Sequence, residues 1–282
     1  MPVRHPGSVG ASLAPRSGGK HRWSEHARFA AETALAVGNA IVVENVAIVT
    51  QKKGRANFAT AADHAAEAAI IAAIRAHDPG VPILAEESAA IDVGRAERLW
   101  VVDPLDGTLN FSRGLPFYCV AIGYVEDGKV RAGAVHAPRT RETFVASEGA
   151  GAALNGAPIR VSTTKDVSEA FAVASLGFGS ASKRGSRFVA LNATCARLRI
   201  DGAAALEIAY LANGRIDLFL HEFLSPWDIA AAQIIAREAG AAVVSLRTGS
   251  DAAWNEPAVV IGNPALVRDA IAKMPLVKAK DR

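Results

Sequence analysis

The most informative segment of the chain is Trp100-Val-Val-Asp-Pro-Leu-Asp-Gly-Thr-Leu-Asn-Phe111. Its apolar beginning predicts a buried strand over residues 98–102, and Asp103 and Asp106 follow directly. Pro104 removes a backbone donor, and Gly107 permits close backbone approach. Residues 108–111 are predicted to begin a helix whose free amides point toward the two acids. The segment therefore presents carboxylates and amide donors at one place.

Carboxylates attract a cation and free helix amides attract an anion, so Mg²⁺ together with phosphate satisfies both. Two further acids occupy comparable positions. Glu86 follows a short predicted strand over residues 82–85, and Asp228 lies in the first turn of a helix predicted over 226–239. Converging carboxylates repel one another without a metal, and hard oxygen donors favour Mg²⁺, Mn²⁺ or Ca²⁺ over zinc.

Each acid also has a structural explanation when it is taken singly. Asp228 is placed to stabilise a helix dipole, and Asp63 is placed to complete a capping box with Thr60. Asp103 and Asp106 are compatible with an ordinary polar turn. None of these explanations accounts for the whole set. The chain has no P-loop and no Gly-x-Ser-x-Gly elbow, which excludes two other hydrolytic chemistries.

The remaining pattern predicts layered sheets and helices, an α/β (α+β) fold. An antiparallel region over residues 117–145, with a hairpin turn at Asp127-Gly128, precedes a region in which strands and helices alternate. Helices are predicted over 23–46, 61–77, 187–196, 203–212 and 226–239, and the later strands over 170–175, 216–220 and 241–245.

Composition limits the partners of the protein. The 282 residues carry a formal net charge of +3, but four of the positive charges lie in residues 1–22, which contain no acid. The remainder carries −1, so a nucleic-acid partner is not expected. No apolar run is long enough to span a membrane, and two cysteines make no disulfide framework. We expect a disordered basic tail over 1–22 and a cytoplasmic location.

Several motifs together resemble the inositol monophosphatase family of lithium-sensitive, metal-dependent phosphatases. Residues 100–111 are similar to its first signature, and residues 225–240 to its second. Shorter matches are Lys53-Gly54 with Thr60-x-x-Asp63, Leu84-Ala-Glu-Glu-Ser88, and Asn155-Gly156-x-Pro158-Ile159. The similarity extends from about Trp23 to Ala272.

This resemblance implies an αβαβα sandwich of the inositol monophosphatase/fructose-1,6-bisphosphatase type over residues 23–275. It further implies two halves, 23–155 and 156–275, a C-terminal tail over 276–282, and a homodimer. Two or more Mg²⁺ ions, for which Mn²⁺ is a substitute, would be held by Glu86, Asp103, the Leu105 carbonyl, Asp106 and Asp228. Asp63 and Thr108, with Glu86, would form the catalytic group. Substrate and phosphate contacts would come from Asp106, Gly107, Thr108, Ala204, His221, Glu222 and Asp228.

The implied activity is hydrolysis of a small sugar or cyclitol phosphate, such as inositol 1-phosphate, by direct attack of a metal-activated water. Histidinol phosphate, fructose 1,6-bisphosphate, 3′(2′),5′-bisphosphate nucleotides and non-catalytic binding stay open as alternatives. Two departures from the family pattern bear on the substrate. Ala203 lacks the usual hydroxyl, and His221 occupies the position of a glutamate that contacts sugar hydroxyls. Either His221 faces the substrate, or a bulge brings in Glu222.

Overall fold

A computed structural model of the chain describes residues 22–44, 51–54, 57–88, 96–176 and 181–273. Both predicted tails lie outside these residues, apart from Arg22. The helices are α1 (Ser24–Glu44), α2 (Ala61–His77), α3 (Thr108–Ser112), α4 (Ala181–Thr194), α5 (Ala204–Ala212), α6 (Pro226–Glu238) and α7 (Pro264–Lys273). A short 3-10 helix covers Val167–Glu169.

The strands form two main sheets. The first has the order β3 (Ile83–Ala85), β4 (Arg98–Asp106), β5 (Cys119–Glu126), β6 (Lys129–Ala137), β7 (Glu142–Ser147), β8 (Gly151–Leu154) and β9 (Ala157–Pro158). The second has the order β11 (Arg197–Arg199), β10 (Phe171–Ser175), β12 (Leu218–His221), β14 (Val259–Gly262) and β13 (Ala242–Ser245). A separate hairpin joins β1 (Gln51–Gly54) to β2 (Asn57–Ala59).

Alternating side chains on the strands connect the layers. In β5, Val120, Ile122 and Tyr124 join the core that contains α1 and α2, whereas Cys119 and Ala121 join the core that contains α5 and α6. The second sheet repeats this division, with its outer face packed against α4 and α7. The order is therefore helices, sheet, helices, sheet, helices, which confirms the predicted αβαβα sandwich.

Helix α6 approaches the first sheet closely because two glycines face each other on neighbouring strands. Gly123 of β5 pairs with Gly133 of β6. A Cβ atom added to Gly133 would lie 2.6 Å from the Ala231 carbonyl oxygen, and one added to Gly123 would lie 3.1 Å from the Ala231 nitrogen. The Ala-rich helix α6 thus packs directly against the two glycines, which have no side chains. This contact fixes the position of the helix that carries Asp228.

Helix α2 has the predicted bounds and start. Thr60 and Asp63 form the capping box, and Asp63 accepts a hydrogen bond from the Thr60 nitrogen at 2.7 Å. The hairpin turn at Asp127-Gly128 is also confirmed, with both residues at positive φ. These local signals were reliable because each depends on neighbouring residues only.

Other bounds differ from prediction. Strand β4 does not end at Val102 but continues to Asp106, and α4 begins at Ala181 rather than Arg187. Strand β14 and helix α7 were not predicted. Among the described helices, none is both long and apolar enough to cross a bilayer.

Candidate metal and phosphate site

One cavity of about 470 Å³ collects the acids that the sequence singled out. Its wall includes the carboxyl-bearing residues Glu86, Asp103, Asp106 and Asp228, which come from the ends of β3 and β4 and the first turn of α6. Leu105, Gly107, Thr108, Ala204 and His221 line the same cavity. Of the predicted site residues, only Asp63 and Glu222 are absent from this wall.

An irregularity in β4 positions its two acids. Asp103 pairs with Ala121 and Asp106 with Cys119, so the residues between them do not follow the regular register. The Leu105 nitrogen donates a hydrogen bond to the Asp103 carboxylate at 3.1 Å. Pro104 contributes no donor, and the Leu105 side chain is buried. The hydrogen bond from Leu105 to Asp103 stabilises the irregular segment over residues 103–106. Strand β4 can therefore continue through these polar residues.

Asp106 supplies the cap that Ala203 lacks. Its carboxylate accepts hydrogen bonds from the nitrogens of Ala204 at 3.1 Å and Ala205 at 2.8 Å, while Ala203, the N-cap residue, provides no side-chain cap. Burial raises the pKa of Asp106 to about 6, although these amide hydrogen bonds oppose the rise. The carboxylate of one element thus satisfies the free donors at the start of α5.

Asp63 lies behind Thr108 as its hydrogen-bond partner. The Thr108 hydroxyl is 2.8 Å from the Asp63 carboxylate and 3.0 Å from the Leu105 carbonyl oxygen. A hydroxyl has one proton and two lone pairs, so donation to either acceptor leaves an acceptor site on Thr108. Burial raises the pKa of Asp63, which is fully shielded from solvent. The two side chains form a relay from the cavity wall to a buried carboxylate.

The cavity is strongly anionic. Burial, followed by the charges of Glu86, Asp106 and Asp228, raises the pKa of Asp103 well above its usual range. Burial and then the charge of Asp106 raise the pKa of Asp228 to about 7. No Lys or Arg belongs to the described cavity wall. A divalent cation is the counter-charge that suits four carboxylates with hard oxygen donors.

The carboxylates are not already arranged as a closed coordination shell. Within the described ranges, no group of three His, Cys, Asp or Glu side chains is preassembled to hold a metal ion. The Asp228 carboxylate accepts a hydrogen bond from the Ser225 nitrogen at 2.6 Å, which completes a capping box at the start of α6. The donor set fits magnesium chemically, and several of its oxygen atoms also cap helices.

His221, rather than Glu222, faces the cavity. Strand β12 keeps a regular register with both neighbours up to His221, so the bulge considered from the sequence is absent. Glu222 is buried and forms two contacts with the Arg187 guanidinium, at 2.8 and 2.9 Å. The structure thus corrects the alternative in which a bulge turns Glu222 toward the substrate.

Sequence reasoning missed several cavity-lining residues, of which Glu207 is the most informative. This buried acid accepts hydrogen bonds from the nitrogens of Asp201 and Gly202, at 3.1 and 2.8 Å. Burial, together with the charge of Asp106, raises its pKa to about 8. A lone acid within the apolar helix α5 was the available signal. Leu109, Ser175, Phe223 and Trp227 also line the cavity but had no comparable signal.

The layered fold and its acid-lined cavity are of the inositol monophosphatase/fructose-1,6-bisphosphatase type. A profile of the inositol monophosphatase family matches residues 22–276, and the chain belongs to this family of phosphatases. The predicted resemblance is therefore confirmed.

Similar proteins carry two kinds of name. Nus factor SuhB of Vibrio cholerae is 41% identical over 207 residues, covering 72% of this chain and 78% of the relative. A Thermotoga maritima protein named fructose-1,6-bisphosphatase/inositol-1-monophosphatase is 38% identical over 226 residues, covering 80% and 85%. Among solved structures, the Bartonella henselae extragenic suppressor protein suhB has a TM-score of 0.81 at 30% identity, covering 89% and 99% of the two chains.

Proposed function

We propose that this protein is a magnesium-dependent phosphomonoesterase that hydrolyses a small sugar or cyclitol phosphate, such as inositol 1-phosphate. The observation that carries the proposal is the convergence of Glu86, Asp103, Asp106 and Asp228 on one cavity that also contains Gly107 and Thr108. This arrangement matches the chemical needs of a metal-assisted phosphoryl transfer, which requires anionic metal ligands beside phosphate-binding donors.

Glu86, Asp103, Asp106, Asp228 and the carbonyl oxygen of Leu105 would hold two or more Mg²⁺ ions, or Mn²⁺ in their place. When bound, the metal supplies charge neutralisation for the phosphate and lowers the pKa of a coordinated water. The anionic character of the wall supports this assignment, because burial and the charges of Glu86, Asp106 and Asp228 raise the pKa of Asp103 well above its usual range.

Residues of the chain orient the attacking water. The Thr108 hydroxyl donates to Asp63, so its lone pair accepts a hydrogen bond from a water in the cavity. Asp63, buried and hydrogen-bonded to Thr60, is the base that receives the proton through this relay. The amides of Gly107 and Thr108 bind phosphate oxygens. Attack is direct: the water oxygen bonds to phosphorus as the ester P–O bond breaks, and the alkoxide leaves and takes a proton from solvent. No residue of the chain becomes phosphorylated.

Relatives support the substrate class without deciding it. A solved Staphylococcus aureus enzyme, described as an inositol monophosphate-bound inositol monophosphatase II, has a TM-score of 0.74 at 26% identity and covers 86% of this chain. The Thermotoga relative is named for both fructose 1,6-bisphosphate and inositol monophosphate. Fructose 1,6-bisphosphate, histidinol phosphate and bisphosphate nucleotides stay open.

Three predictions about the setting of the protein stay predictions: a homodimer, a cytoplasmic location, and the absence of a nucleic-acid partner. Some relatives are named Nus factors, a name that does not refer to hydrolysis. A direct nucleic-acid binding assay would test the prediction that this protein has no nucleic-acid partner.

A phosphate-release assay tests the proposal. The protein should release phosphate from members of a metabolite panel with Mg²⁺ and not with a chelator. Asp103→Asn should lower the rate by a factor of at least about 10². Asp251→Asn, at an exposed acid paired with Arg237, is the matched control and should keep the parent rate. The phosphatase assignment would be refuted if the protein hydrolysed no ester in the presence of Mg²⁺. Full activity of Asp103→Asn would refute the role of Asp103.

A further inference from the structure

The part of the cavity wall at His221 includes an aromatic side chain in contact with the imidazole. His221 terminates β12 and lies opposite Ser175 in the register of β10 and β12. Phe223 lies two residues further along and lines the same cavity, as does Leu109 of α3. These residues add aromatic, aliphatic and neutral side chains to a wall that also carries the carboxylates.

A hydrogen bond determines which nitrogen of His221 carries the proton. The Phe223 nitrogen donates to Nδ1 of His221 at 3.3 Å, so Nδ1 is an acceptor. In a neutral imidazole the proton then resides on Nε2. No described residue accepts a hydrogen bond from Nε2, which leaves a donor for a ligand. The cavity therefore presents a hydrogen-bond donor where β12 ends.

Two aromatic rings, those of Phe219 and Phe223, contact the imidazole of His221. The ring of Phe219 stacks on His221 at a centroid distance of 5.8 Å and an angle of 16°, and the ring of Phe223 lies 4.4 Å away. Phe219 is fully buried, so it fixes the imidazole, whereas Phe223 is 54% exposed. Leu109, which lines the same cavity, is 42% exposed. An exposed phenylalanine in contact with an oriented donor, in a cavity that also exposes a leucine, suits a flat ring.

We propose that this part of the cavity wall selects phosphate monoesters whose leaving group is an aromatic or heteroaromatic ring with a hydrogen-bond acceptor. The acceptor binds Nε2–H of His221, and the ring packs against Phe223 and Leu109. This inference rests on the proposed phosphatase activity but changes its expected preference, because it places esters of aromatic alcohols ahead of sugar and cyclitol phosphates. A cyclitol offers several hydroxyl protons, each of which needs an acceptor when it is taken out of water.

Glu207 is the competing source of such an acceptor. It lines the cavity, but one of its oxygens already accepts both the Asp201 and Gly202 nitrogens. The side chain is 2% exposed, so little of it is available to a ligand. The geometry accordingly favours His221 over Glu207 as the group that recognises the leaving group.

Four synthetic esters separate the two contributions. The probes are pyridin-3-ylmethyl phosphate, benzyl phosphate, cyclohexylmethyl phosphate and inositol 1-phosphate, each assayed with Mg²⁺ for kcat/KM. We expect the pyridyl ester to exceed the benzyl ester by about five- to tenfold, the size of one neutral hydrogen bond. We expect the benzyl ester to exceed the cyclohexyl ester by about two- to tenfold, because only the former offers an aromatic face.

Substitutions test which residue causes each kcat/KM preference. His221→Phe should abolish the pyridyl preference, and Phe223→Leu should abolish the benzyl preference. Leu115→Ala, at an exposed apolar residue outside the described cavity wall, is the control and should change neither ratio.

Unchanged ratios in His221→Phe and Phe223→Leu would overturn the inference. So would a preference for inositol 1-phosphate that disappears in Glu207→Gln, since the recognising group would then be Glu207. Absence of Mg²⁺-dependent release from all four esters would instead refute the phosphatase proposal itself, so the two failures are distinguishable.

Discussion

Removing divalent cations should make the protein less stable as the pH rises, which is the reverse of the usual effect of carboxylates. Burial raises the folded-state pKa of Asp228 to about 7 and that of Glu207 to about 8. Both values lie above those of about 4 that apply in the unfolded chain. The folded state thus retains protons that the unfolded state has lost. The stabilisation is complete below pH 4 and decreases as the pH rises through the folded-state pKa values.

The magnitude follows from the size of these shifts. Between pH 6.5 and 8.5, linkage predicts a loss of about 1 kcal/mol from Asp228 and about 2 kcal/mol from Glu207. A domain of this size changes its melting temperature by about 2–4 °C per kcal/mol, so these two groups alone should lower the melting temperature of the chelated protein by about 6–12 °C. Histidines whose pKa burial lowers, such as His136, act mainly below this interval.

Thermal melts with a chelator and with Mg²⁺ test this reasoning. Mg²⁺ should remove the part of the decrease that arises from Asp228, because the cation favours its ionised form. Glu207→Gln should remove the other part with or without Mg²⁺, which separates the helix-capping acid from the metal-binding acids. A melting temperature of the chelated protein that is constant or rises between pH 6.5 and 8.5 would refute the raised pKa values of Asp228 and Glu207.

Two further substitutions have defined outcomes. Thr108→Ala should lower kcat by about 10²-fold with little change in KM, because it interrupts the relay to Asp63. The control Thr108→Ser keeps the hydroxyl and should keep most of the rate. An effect of Thr108→Ala on KM alone would contradict the role of Thr108 in orienting water. Gly133→Ala should destabilise the protein by about 1–3 kcal/mol in urea melts, because its Cβ would meet Ala231. Gly185→Ala, in open space on α4, is its control and should be neutral or stabilising; equal effects of the two substitutions would contradict the close packing of α6.

Local sequence signals predicted the structure well where the determining contacts are also local. The capping box that joins Thr60 and Asp63 specifies the start of α2, and the Asp127-Gly128 turn specifies the hairpin between β5 and β6. Glu86, Asp103 and Asp106 were identified because they follow apolar runs, and Asp228 because it lies in the first turn of a predicted helix. Their positions on the cavity wall follow the predicted pattern, while their individual roles stay predictions.

The predictions that failed depend on contacts distant in sequence. Polarity at Asp103 and Asp106 suggested the end of a strand, but pairing with β5 continues β4 through both residues. Strand β14 lies between β12 and β13 in the second sheet, and a short apolar run gives no sign of this insertion. Glu207 was not singled out from the sequence, because a lone acid in an apolar helix does not reveal its partners, the Asp201 and Gly202 nitrogens.

The most direct test of the central claim is a crystal structure of the protein grown with Mn²⁺ and phosphate, recorded at the manganese absorption edge. We predict anomalous difference peaks among Glu86, Asp103, Asp106 and Asp228, with the phosphate next to the Gly107 and Thr108 amides. A well-ordered cavity with no anomalous peak among these four carboxylates, at saturating Mn²⁺, would contradict it.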